Sequence, residues 1–171
     1  MTSEGSDDQD RSSTEKKRDA LRRQAWDLAG RVTTGVLGTV DEEGFPYTSL
    51  VEVIYDGKDS FWLLLSELAV HTRNLGRDER ASLFLRDDTD GDKTPLASPR
   101  ATYLGEVARS ETGRQEIGER YLQIHPQAEK YIEFSDFDFY RLKVEKVRLV
   151  AGFGQMGWVA GEEFGSFGDD K

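Results

Sequence analysis

The chain has 171 residues, a formal net charge of −10 at neutral pH and no cysteine. This length predicts one domain with a true hydrophobic core, and the lack of thiols removes disulfides, thiolate catalysis and cysteine-ligated zinc or iron–sulfur clusters. The acidic balance repels phosphate backbones and anionic membranes; the polar start MTSEGSDDQDRSS has no apolar h-region, and the longest apolar run, FWLLL at 61–65, is too short for a bilayer, so the expectation is a soluble cytoplasmic protein with neither nucleic acid nor membrane as partner.

Residues 1–13 read as a disordered acidic tail. Ser12-x-x-Glu15 has the form of a capping box, and Leu21, Ala25, Leu28 and Ala29 follow at helical spacing up to Gly30. From residue 31 the period changes to two. RVTTGVLGTV, FPYTSLVEVIY and SFWLLLS read as three strands, joined by the turns DEEG and DGKD. Connections this short make an antiparallel meander, because parallel crossovers need a dozen residues or more. SFWLLLS is apolar on both phases and is expected to be central. Ser66 is placed as the cap of a short helix in ELAVHTRNLG, with Leu68, Thr72 and Leu75 on one face and Gly76 at its end. ASLFLR is a fourth strand, RDDTDGDKTPLASP a polar loop and RATYLGEVAR a fifth strand. A helix over about 111–124 turns Ile117, Tyr121 and Ile124 inward and stops at His125-Pro126. A shorter helix near 127–133 precedes a last long strand, FDFYRLKVEKVRLVAGFG. The pattern predicts a mainly β protein, a barrel or strongly curved sheet with a few packing helices.

Two local patterns resemble binding motifs but lack their context. GFGQMG at 152–157 fits the dinucleotide fingerprint G-x-G-x-x-G. That fingerprint needs a helix directly after it and a second parallel strand; QMGWVAGEEFGSFG is too glycine-rich for the helix, and few residues follow. The glycines are read instead as a strand end with a sharp turn, where Trp158 folds back. RDDTDGDK at 86–93 has alternating acids, but Gly91 and Pro99 stand where a calcium loop needs other residues. It reads as a solvated loop. The two histidines, His71 and His125, have no metal-ligand partners at local spacing. His71, in SELAVHTRNL, stands among Ser66, Thr72, Arg73 and Asn74, a set able to hold an anion at a helix start. No nucleophile–base–acid arrangement is legible, and no catalytic residue is assigned.

The segments GVLGTVDEEGFPYTSLVE, LLLSELAVHTRNL, SPRATYLGEV, RYLQIHPQAEKY and DFDFYRLKVEKVRLVAGFG…W occur in this order. Together they resemble the pyridoxamine 5'-phosphate oxidase-related FMN-binding split-barrel superfamily, most closely its heme-utilisation, HugZ-like branch. The resemblance covers about residues 20–160. It implies a six-stranded antiparallel split β-barrel in a single domain over 14–160, with 161–171 a flexible acidic tail. It also implies a homodimer with a small-molecule cofactor, flavin or heme, at the subunit interface. In the flavin oxidases an arginine and a lysine on the second strand hold the FMN phosphate; Ser49 and Ile54 stand at those positions here. The cofactor-binding set implied is therefore Ser49, Ser66, His71, Thr72, Arg73, Arg100 and Trp158. The leading expectation is a non-covalent FMN protein, a flavin-dependent oxidoreductase if an enzyme. The alternatives are a heme-binding or heme-degrading protein and a cofactor-free dimer with a binding or regulatory role. In the heme-degrading relatives a histidine of the C-terminal tail ligates iron. VAGEEFGSFGDDK contains none, which leaves His71 or His125 for that role.

Overall fold

The computed structural model describes residues 4–89, 94–152 and 154–166. Helix α1 (Glu4–Arg31) is followed by β1 (Thr34–Val40), β2 (Pro46–Tyr55) and β3 (Ser60–Ser66). Helix α2 (Val70–Leu75), β4 (Arg80–Arg86) and β5 (Arg100–Arg109) come next. Helix α3 (Arg114–Ile124) runs into a 3-10 turn (Pro126–Lys130), then β6 (Phe137–Gly152), β7 (Gln155–Ala160) and α4 (Gly161–Gly165).

The sheet order is β3-β2-β1-β4-β5-β6-β7, and β3 also pairs with β6 from Ser60↔Lys143 to Ser66↔Phe137. That last pairing closes β1–β6 into an antiparallel barrel, which removes the exposed edges an open sheet would leave. The alternating residues Leu37, Val53, Phe61, Leu63, Leu83 and Tyr103 fill the interior. Helix α1 adds Ala25, Leu28 and Ala29 to this core, and the Tyr103 hydroxyl donates to the Ala25 carbonyl at 2.7 Å. A second, smaller core lies outside the barrel, where Tyr121 of α3, Ala128 and Ile132 cover Ile54, Leu64 and Phe139. SFWLLLS is apolar on both phases because its two faces serve these two cores.

The strand β6 slips one position against β5 between Leu104 and Gly105. A Cβ at Gly105 would stand 1.8 Å from the Lys143 carbonyl oxygen, so only glycine fits this close approach.

The two chain ends differ from the sequence expectation. The helix begins at Glu4 rather than at the Ser12 capping box, so residues 4–13 are helical where a disordered tail is expected. Ser13 and Thr14 are exposed and cost little inside a helix, so the capping-box pattern does not set its start. At the other end, residue 153 lies outside the described residues, but the chain does turn back around it. Gly152 (φ 132°) and Gly154 (φ 82°) carry the turn, and β7 pairs antiparallel with β6 from Gly152↔Gln155 to Lys146↔Ala160. The last strand is thus two, and a seventh strand extends the barrel wall. Residues 161–165, expected in a flexible tail, form α4, and Phe164 is fully buried against Tyr55 and Tyr103. Residues 167–171 of that expected tail lie outside the described residues, as do residues 90–93 of the acidic loop.

Candidate functional site

The end of β3 is tied to the segment leading into β6. The Ser66 hydroxyl donates to Asp136 Oδ2 at 2.6 Å and accepts from the Leu68 amide at 3.1 Å, while the Glu67 amide donates to the Asp136 carbonyl at 2.7 Å. Ser66 therefore caps the turn before α2. The N-cap of the helix itself is Ala69, which has no side-chain acceptor. Leu68 lies outside the helix and is 74% exposed, contrary to the inward face expected for it; Ile124, the last residue of α3, is likewise exposed.

This turn aims α2 back at β2, and His71 meets Ser49, with Oγ 2.9 Å from Nδ1. Burial pushes the imidazole pKa below its ordinary 6.5. At neutral pH the ring is uncharged. With Nδ1 engaged by the hydroxyl, Nε2 has no hydrogen-bond partner among the described residues. The cleft beside it holds about 300 Å³ and is lined by Leu50, Ser66, Ala69, His71, Tyr131 and Phe137, with Glu52 at its wall. The Tyr131 hydroxyl donates to Glu52 Oε2 at 3.0 Å, and burial together with this carboxylate raises its pKa to about 12.

Ser49, Ser66 and His71 are thus brought together. The remaining candidates are not part of this group. Thr72 points inward and is buried, with no partner for Oγ1 among the described residues. Arg73 is exposed and donates to the Leu68 carbonyl at 3.0 Å, closing its own turn. Arg100 lines a separate cleft of about 420 Å³ with Val36, Leu50, Phe84, Arg86 and Leu96, and its Nη1 donates to the Leu96 carbonyl at 2.7 Å. Trp158 lies on β7, flanked by Lys146 and Arg148 at 5.8 and 5.7 Å from its ring. Ile54 is buried in the outer core beneath α3 and does not line the cleft beside His71. His125 is also buried; its Nε2 is 3.1 Å from the Val53 carbonyl and its Nδ1 3.6 Å from Glu52 Oε1, so it serves the end of α3.

The strand register connects the two clefts. On the outer face, Leu50, Val36, Phe84, Thr102, Arg148 and Trp158 stand in one row across six strands. Leu50, 75% exposed, is the ridge shared by both clefts. Of this row the sequence singled out Trp158 alone, and Arg86 was missed. The row's signal was present as apolar residues on the outward phase of β1, β2 and β4, where a solvated barrel carries polar ones.

A closed antiparallel barrel with this helical cover defines a split-barrel fold. Within it, the chain belongs to the CREG β-barrel family, whose model matches residues 16–166. It is 36% identical over 121 residues to the chloroplastic non-canonical heme oxygenase HOZ of Arabidopsis thaliana, covering 69% of this chain and 36% of that protein. It is 28% identical over 138 residues to the heme oxygenase HutZ of Vibrio cholerae, covering 77% of this chain and 76% of that protein. The structure of a heme binding protein from Mycobacterium smegmatis superposes with a TM-score of 0.79 at 33% identity, over 85% of this chain and 60% of that one. The chain therefore spans about a third of the Arabidopsis protein and three fifths of the mycobacterial chain. No described helix is long and apolar enough to cross a membrane, and no group of metal-ligating side chains is found among the described residues.

Proposed function

We propose that this chain binds heme as a homodimer, with His71 as the iron ligand and the porphyrin lying across the outer face around Leu50. The observation that carries this reading is the His71 imidazole. It is kept neutral by burial and fixed at Nδ1 by Ser49, and it borders an apolar cleft. A metal-binding histidine has this form: one nitrogen oriented by a hydrogen bond, the other free to ligate. The sequence contains two histidines, and His125 is buried and hydrogen-bonded, so His71 is the one suited to the task. A cleft of about 300 Å³ takes the edge of a porphyrin, and the apolar row continues the surface towards Arg86 and Arg100. The names of the three relatives point the same way.

The FMN reading has less support. The superfamily likeness is its main ground, and the phosphate-holding positions are Ser49, which is occupied by His71, and Ile54, which is buried. Parallel titrations with hemin and FMN, followed by absorbance, separate the two. The reading predicts a saturable Soret change with about one heme per protomer and no FMN spectral shift. Tight FMN binding without a hemin response would overturn it.

A further inference from the structure

A cleft of about 320 Å³ lies between α3 and the barrel, and it shares no lining residue with the cleft beside His71. Its floor is Ile54 and the indole of Trp62. Trp62 and Arg141 are cross-strand partners, and the guanidinium lies over the ring at 5.9 Å. Two bonds hold that guanidinium in place: Nε to Ser60 Oγ at 2.8 Å and Nη2 to Asp59 Oδ1 at 2.9 Å. Arg120, from α3, is fixed in turn by Nη2 donating to the Tyr55 carbonyl at 2.8 Å. Each head keeps further N–H donors beyond those bonds.

The rim is the first turn of α3, with Thr112 and Gly113. Gly113 is its N-cap (φ 74°) and offers no side-chain acceptor to the opening amides. Glu116 is the one carboxylate among the lining residues. Glu116 and Asp59, which pairs with Arg141 at 2.9 Å, balance the two guanidiniums, so the cleft is locally neutral on a chain whose overall charge is −10. A flat apolar floor beside two pre-placed guanidiniums suits a ring that stacks on indole and carries one negative group. Glu116 disfavours dianions, and the size excludes a nucleotide with its sugar and base both enclosed.

We propose that this cleft is a binding site for a small planar aromatic monocarboxylate, stacked on Trp62 with its carboxylate held by Arg120 and Arg141. Calorimetric titration with benzoate tests it, against benzamide, which keeps the ring without the charge, and acetate, which keeps the charge without the ring. Benzoate is expected to bind at least about tenfold more tightly than either. Arg120→Gln, which gives up only a bond to a carbonyl, should weaken benzoate about tenfold and leave the hemin titration unchanged. Glu116→Gln should tighten benzoate by a few-fold, an outcome that misfolding cannot mimic. Benzamide binding as well as benzoate, unchanged benzoate affinity in both variants, or no saturable binding at millimolar benzoate would each overturn the proposal.

Discussion

His71 is the side chain on which the functional reading depends. Its desolvation has a sign that can be worked through. A pKa lowered on folding means that, between the folded value and 6.5, the unfolded chain binds more protons than the folded one. Stability from this group is therefore complete above 6.5 and declines as the pH falls through that window. A proton-NMR titration should place the His71 midpoint below 6.5, with Ser49→Ala changing it while the fold persists. A midpoint above 6.5 would show a charged ring unsuited to ligation. The sequence revealed His71 through its polar neighbours in SELAVHTRNL. Ser49, 22 positions away, entered only through resemblance, because no local pattern links a strand serine to a histidine on a later helix. Thr72 stands apart from the cleft for a geometric reason. One residue along a helix rotates the side chain by 100°, which carries it from the cleft to the core.

At the scale of elements, the six barrel strands were legible from alternation and turn residues. Strand β7 and helix α4 were not. Glycines at 152, 154, 157, 161 and 165 dilute the periodicity there, and some answer to packing that no local window reveals: a Cβ at Gly161 would stand 2.4 Å from the Val144 carbonyl oxygen. The docking of α4 rests on Phe164, which is fully buried. Phe164→Ala should cost about 3–5 kcal/mol, read as a melting temperature lower by roughly 10 °C. A flexible tail would give no change. The register slip on β5 gives a second test. Gly105→Ala forces a methyl onto the Lys143 carbonyl, and thermal melts should show a loss of about 3 kcal/mol, against about zero for Gly30→Ala, which has open space around it.

Over the whole molecule, closure of the barrel confines the lateral edges to β7 and to the part of β2 before Val53, so faces offer the larger surface for association. The outer row from Leu50 through Val36 and Phe84 is the apolar one. If two protomers meet there, Leu50→Glu should convert a dimer to a monomer in light scattering at micromolar concentration while leaving the thermal unfolding cooperative. A monomeric parent protein would remove the dimer from the account. Such a placement would bring the His71 cleft to the edge of the interface, because Leu50 borders that cleft and belongs to the row. The most direct test of the central claim is a hemin titration of the parent protein and His71→Ala, following the Soret band and the iron coordination. The account predicts a saturable complex with histidine-ligated iron in the parent and loss of that ligation, with affinity down at least about tenfold, in the variant. An identical spectrum and affinity for the two proteins would contradict it.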